Sequence, residues 1–112
     1  MKRVYVCGSY KFIYKIEELV ALLQAERIEF TVSKDLDARG ILGCLEKVNQ
    51  ADIVYVVNPD GYVGKSVSVD LGYAYAKNKP IYVMHSVSDP PIMGLINGVL
   101  SFKELIDFLK HP

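Results

Sequence analysis

Most of the residues able to do chemistry fall in one stretch, Asn58-Pro59-Asp60-Gly61-Tyr62-Val63-Gly64-Lys65-Ser66-Val67-Ser68-Val69-Asp70. Gly61 and Gly64 let backbone approach a ligand closely. Ser66 and Ser68 fall where a helix begins, and the free N–H groups and dipole at such a point favour an anion. Lys65 adds a positive charge. A phosphate or a sugar hydroxyl suits this chemistry; so does an ordinary glycine-containing turn with a serine cap. Gly64-Lys65-Ser66 also matches the end of the phosphate-binding pattern G-x-x-x-x-G-K-[ST]. The first glycine of that pattern would be residue 59, which is Pro59, and Gly61 is two residues too close. No acidic residue ends the following strand, where Met84 and His85 stand. A nucleoside triphosphatase is therefore not supported.

Asp70 is the second candidate. The pattern places it in the first turn or so of the same helix, where the dipole helps keep it ionised. An ionised carboxylate there can attack a sugar carbon as a nucleophile, or it can simply complement the dipole. Gly72, Ala74 and Ala76 follow. A helical glycine costs about 1 kcal/mol relative to alanine, so the sheet, a ligand or a partner chain is expected to approach this helix closely. Other residues carry less. Asp60 before Gly61 is a standard turn residue as well as a possible acid. His85 has no local partner, Cys7 ends an apolar strand and reads as core, and Lys11 and Lys15 share a helix face that they solvate.

The elements that must position these groups alternate. Apolar runs at Val4–Cys7, Ile28–Val32, Ile53–Val57 and Ile81–Met84 read as strands, rich in β-branched and aromatic residues. The first, third and fourth are apolar throughout, as in strands covered on both faces. The second alternates and suits an edge. Gly98-Val99-Leu100 would be a short fifth. Helical spacing runs from about Tyr10 to Ala25, from near Asp37 through Ile41, Leu42, Leu45 and Val48, through Val67, Leu71 and Ala74 with Ser66 or Ser68 as cap, over Ile92–Ile96, and from the capping box Ser101-Phe102-Lys103-Glu104 onward. The order β-α-β-α-β-α-β-α-β-α predicts a three-layer α/β/α sandwich around a five-stranded parallel sheet, flavodoxin-like (Rossmann-like), with order 2-1-3-4-5. Ligands of such sheets bind beyond the carboxyl ends of the strands. That singles out Gly8-Ser9, the loop from Asn58 to Lys65, and His85–Asp89.

The 112 residues form one expected domain, 1–112, with no linker, repeat or low-complexity tract. Lys+Arg and Asp+Glu are both 13, so the net charge is zero, which argues against a nucleic-acid polymer as partner. No apolar run approaches the ~18 residues of a membrane span, and the apolar stretch after Lys2-Arg3 is too short for a signal peptide. Two cysteines, Cys7 and Cys44, form neither a metal knuckle nor a disulfide scaffold, so a reduced, cytoplasmic setting is expected.

Ala51-Asp52-Ile53-Val54-Tyr55-Val56-Val57-Asn58-Pro59, the Gly61/Gly64 loop, and Asp70-Leu71-Gly72-Tyr73-Ala74 followed by Asn78-Lys79-Pro80-Ile81 resemble the nucleoside 2-deoxyribosyltransferase-like proteins. That family includes the transferases and the 2′-deoxynucleoside 5′-phosphate N-hydrolases. Val4-Tyr5-Val6-Cys7-Gly8-Ser9 is similar to their first strand and loop, and Gly94-Leu95-Ile96-Asn97-Gly98 is weakly similar to the hydrolase branch. The resemblance implies a carboxylate nucleophile that attacks C1′, expels the base and forms a glycosyl–enzyme ester, as in retaining glycosidases. The family has glutamate there; this chain has Asp70, one methylene shorter. The aspartate that the transferases place six residues earlier is Gly64 here, so their base handling is not implied, and the serines suit a 5′-phosphate. The expected function is cleavage or transfer of the N-glycosidic bond of a (deoxy)nucleoside or its 5′-monophosphate. Asp70 would be catalytic, Gly8 and Ser9 near the sugar, Asn58 and Asp60 in the substrate loop, and Gly64, Ser66 and Ser68 around the phosphate. No metal or other cofactor is implied. A nucleotide-binding or sensing module without chemistry is the alternative, and a purely structural partner protein a third.

The resemblance further implies a homodimer whose partner chain completes the pocket, with Tyr73-Ala74-Tyr75 as a contact. Light scattering at micromolar concentration should then give twice the 12.6 kDa of one chain. A single species of 12.6 kDa would contradict it.

Overall fold

The computed structural model describes residues 2–33 and 39–111. Five strands, β1 (Val4–Cys7), β2 (Phe30–Val32), β3 (Ile53–Val56), β4 (Ile81–Val83) and β5 (Gly98–Val99), alternate with α1 (Ile13–Ala25), α2 (Ile41–Gln50), α3 (Lys65–Ala76), α4 (Pro90–Met93) and α5 (Phe102–Lys110). The strands form one sheet in the order β2-β1-β3-β4-β5. Every neighbouring pair is parallel. This is the expected order, with β2 at an edge.

Alternation along the strands sorts side chains into two cores. Val4 and Val6 of β1 and Ile53 and Tyr55 of β3 face Ile16, Leu19 and Leu23 of α1 and Leu105 and Leu109 of α5. Tyr5, Cys7, Val54 and Val56 face Cys44 and Val48 of α2 and Val67, Leu71 and Ala74 of α3. All four residues of β1 and of β3 are buried, which explains their unbroken apolar runs. Burying each large aliphatic side chain stabilises the fold by about 1.5–3 kcal/mol. The capping box of α5 is present: Glu104 N–H donates to Ser101 Oγ at 3.1 Å and Ser101 N–H to Glu104 Oε1 at 2.8 Å. These bonds hold the Glu104 carboxyl below its usual range.

Several boundaries differ from the sequence expectation for local reasons. Ile28 belongs to the turn that ends α1, with Arg27 at φ 56° and Ile28 N–H donating to Leu23 O, so β2 begins only at Phe30. Tyr10–Phe12 form a tight 3-10 turn ahead of α1, capped where Ser9 Oγ accepts from Lys11 N–H. The expected start of α2 near Asp37 lies outside the described residues; the described helix begins at Ile41. In α4 the helix is Pro90–Met93: proline suits a first helical turn, and past Met93 the bonds tighten to three residues back, Leu95 N–H donating to Ile92 O and Ile96 N–H to Met93 O. Residues Leu95 and Ile96, expected in that helix, follow it. Among the described residues no helix is long and apolar enough to cross a membrane.

Two glycines let loops meet at the carboxyl ends of the strands. A Cβ on Gly8 would stand 2.7 Å from Val57 O. Gly61 has φ +77°, and a Cβ there would collide with Ser86 O, pressing the β3–α3 loop against the β4–α4 loop. Gly61→Ala should lower unfolding stability by about 2 kcal/mol or more, measured by urea titration, because both the backbone conformation and the close approach are lost. An unchanged midpoint would contradict this account of the loop.

Candidate active site

A cleft of about 530 Å³ opens beyond the carboxyl ends of β1, β2 and β3. Strand order reverses beside β1, the position where open parallel sheets hold ligands. Gly8, Ser9 and Tyr10 line it from the β1 loop and Ser33 from the end of β2; Ile41 and Cys44 come from α2, Tyr62 and Gly64 from the β3 loop, and Lys65, Ser66, Val67 and Asp70 from α3.

Asp70 lies in the second turn of α3, deeper than the sequence suggested. Val67, Asp70, Leu71 and Ala74 are the buried residues of that helix, so the carboxylate occupies the apolar stripe facing the sheet. It is 2% exposed. Tyr5, on the interior strand β1, donates its hydroxyl to Asp70 Oδ2 at 3.1 Å. Asp70 Oδ1 is buried without a hydrogen-bond partner. Burial pushes the Asp70 carboxyl up to about 6 from 3.8, and the Tyr5 hydrogen bond works against that rise. Desolvation therefore raises this carboxyl, where the helix start was expected to favour its ionised form. Tyr5 is itself pushed far up by burial and by Cys7, Asp70 and Cys44, so it stays a protonated donor. Burial and Asp70 also raise the Cys7 thiol, an inert core group as expected.

Of the residues singled out in the sequence, Gly8, Ser9, Gly64, Ser66 and Asp70 come together in the cleft. Asn58, Asp60 and Ser68 are not part of its lining. Asn58 is fully buried and acts as a staple: Oδ1 accepts from the N–H groups of Met84 and His85 at 3.0 Å, and Nδ2 donates to His85 O at 2.8 Å. Asp60 holds a left-handed turn at φ 61°, in keeping with a turn residue. Neither serine caps α3. Gly64 is the N-cap, and Ser68 donates its hydroxyl back to Gly64 O at 2.9 Å. Among the described residues nothing approaches Gly72, where a Cβ would meet open space. Of the small residues after Asp70, Ala74 packs in the core, and Gly72 and Ala76 are exposed. Tyr5, Cys44 and Tyr62 were not singled out. Tyr5 carried a signal, since a tyrosine in a fully apolar central strand must find a partner for its hydroxyl. Tyr62 carried none.

A buried carboxylate with one unpaired oxygen weakens the fold it sits in. The unfolded chain ionises Asp70 near 3.8 and the folded protein near 6, so the folded state binds more protons between these values and loses stability as pH rises through them. The penalty at neutral pH is about 3 kcal/mol. Asp70→Asn should therefore melt higher than the wild type at pH 7, and the gap should close as pH falls to 4. A less stable variant at pH 7 would make Asp70 a structural residue.

No protein-family model matches the chain, and no curated protein matches it by sequence. Solved structures do match its fold. A conserved protein from Enterococcus faecalis V583 aligns with TM-score 0.72 at 17% identity, covering 98% of both chains. The 2-deoxyribosyltransferase of Bacillus psychrosaccharolyticus aligns with TM-score 0.69 at 13% identity, covering 92% of this chain and 89% of that one. The CMP N-glycosidase of Clostridium botulinum aligns with TM-score 0.65 at 19% identity, covering 97% of this chain and 98% of that one. The strand order, the cleft beside β1 and these likenesses together identify the fold of this chain as that of the nucleoside 2-deoxyribosyltransferase-like proteins.

Proposed function

We propose that the protein breaks the N-glycosidic bond of a nucleoside 5′-monophosphate or nucleoside, with Asp70 as nucleophile, and passes the pentosyl group to water or a second base. The observation that carries this reading is the division of labour within one carboxylate. Oδ2 is held by Tyr5, and Oδ1 is buried at the cleft with no partner. Two proteins of the same fold, named as a 2-deoxyribosyltransferase and a CMP N-glycosidase, support it.

In this reading Oδ1 bonds to C1′ as the C1′–N bond breaks. The bonding pair leaves with the base, which takes up a proton. The resulting ester is neutral, so the burial that disfavours the free carboxylate favours its formation. When water or a base attacks C1′, the charge returns to Asp70 and the Tyr5 hydroxyl stabilises it. Gly64, Ser66, Lys65 and the unpaired N–H groups at the start of α3 receive the 5′-phosphate. Gly8 and Ser9 stand at the sugar. A second copy of the chain would cover the open side. Tyr75 and Val69, 58% and 50% exposed, and Gly72 leave α3 an outer face for it.

The second reading, a nucleotide sensor without chemistry, rests on the side chain itself. Asp70 is one methylene shorter than the glutamate the family uses, and a nucleophile misplaced by ~1 Å can lose about a hundredfold in rate. Base release from the common ribo- and deoxyribonucleoside 5′-monophosphates, followed by chromatography, separates the two. The enzyme reading expects release that rises about tenfold between pH 5 and pH 8, since the ionised form with pKa about 6 is the active one. It expects Asp70→Asn to abolish release and keep binding. Full release by Asp70→Asn, or a flat pH profile, would overturn the assignment. Binding without release by both wild type and Asp70→Glu would establish the sensor.

A further inference from the structure

The β1 and β3 loops touch across the mouth of the cleft through a cation. The Lys11 ammonium lies 3.5 Å from the centroid of the Tyr62 ring and 5.2 Å from that of Phe12. Phe12 meets Tyr62 edge-on, with centroids 6.0 Å apart. Tyr62 lines the cleft, as do Ser9 and Tyr10, the residues just before Lys11. Three other cations of the chain are paired with carboxylates: Arg3 with Glu29, Lys15 with Glu18 and Lys110 with Glu26. Among the described residues Lys11 makes no ion pair. Its ammonium rests on a ring that is itself 44% exposed.

A cation on a solvent-exposed ring is held weakly, and a charge-assisted hydrogen bond to phosphate is stronger. The lysine side chain is flexible enough to exchange one for the other. Gly64, the N-cap of α3, packs against Tyr62, with an added Cβ 3.5 Å from its ring and hydroxyl, so an anion seated at the start of α3 would lie beside the ring that Lys11 covers. The orphaned, almost fully buried Asp70 Oδ1 independently marks this cleft as a ligand site.

We propose that Lys11 is a specificity-determining residue that selects phosphorylated ligands by exchange. Without ligand its ammonium is parked on Tyr62; with a nucleoside 5′-monophosphate bound, it leaves the ring for the phosphate. The exchange separates the two loops at the mouth and uncovers the Tyr62 ring only when the ligand carries a phosphate. This rests on the reading of the cleft as a nucleotide site.

The test is calorimetric binding of the common ribo- and deoxyribonucleoside 5′-monophosphates and of the parent nucleosides. Wild type should prefer monophosphate by about tenfold or more. Lys11→Met should lose most of that preference, weakening monophosphate about fivefold to tenfold with nucleoside affinity unchanged, and Lys11→Arg should restore it. In a Tyr62→Trp variant, the sole tryptophan of the chain should change its emission with monophosphate and not with nucleoside, and Lys11→Met in that background should abolish the response. If wild type shows a preference that Lys11→Met keeps, the exchange is wrong and the nucleotide reading stands. Equal weakening of both ligands would reduce Lys11 to a loop-packing residue and overturn the proposal. Binding without any preference in wild type would overturn the exchange and leave the nucleoside reading, and absence of binding would overturn both.

Discussion

The hydrogen bond from Tyr5 to Asp70 joins an interior strand of the sheet to the helix that covers it, and both partners are almost completely shielded from water. Position 70 lies on the stripe that α3 turns toward the sheet, with Val67, Leu71 and Ala74. An apolar side chain would pack there without penalty. A carboxylate must instead be desolvated, and a single phenolic hydroxyl offsets only part of that. The remaining oxygen is buried with no hydrogen-bond partner among the described residues. A buried carboxylate of this kind weakens the fold, and perturbed groups in clefts are candidates for function.

The surrounding elements keep that group reachable. β1 brings Tyr5 below the helix and then ends in Gly8, whose lack of a side chain lets the β1 loop pass 2.7 Å, measured from an added Cβ, from Val57 O. The β3 loop is fixed at its base, where Asn58 bonds to both Met84 and His85, and where Gly61 abuts Ser86. At its other end Tyr62 reaches the β1 loop. The cleft wall is thus tied to the sheet on one side and closed by a weak cation–π contact on the other.

Much of the fold was legible because its strongest signals are local. Val4–Cys7 and Ile53–Val57 read as doubly covered strands, and both are. The capping box of α5 reads directly from Ser101 and Glu104. What was misread depends on backbone detail or on distant partners. Arg27 enters the left-handed region and takes Ile28 out of β2. Gly64 caps α3 where a serine was expected, since Ser68 turns its hydroxyl back on the helix. Asp70 was picked out by its place after a glycine-containing loop, yet its raised pKa follows from burial that no local pattern reports, and the hydrogen bond that opposes the rise comes from a tyrosine 65 residues away. The roles of Asn58 as a staple and of Tyr62 as a bridge depend on loops that meet only in the folded chain.

Under the proposed function, burial of Asp70 favours a neutral sugar ester over the free anion. The central claim is that Asp70 becomes that ester. Mass spectrometry of the protein, quenched in acid during turnover with a 2′-fluorinated nucleoside 5′-monophosphate to slow breakdown of the intermediate, tests it directly. The account predicts a covalent pentosyl-phosphate adduct that maps to the peptide carrying Asp70. Base release with the adduct on another residue, or steady release with no adduct at any time, would contradict it.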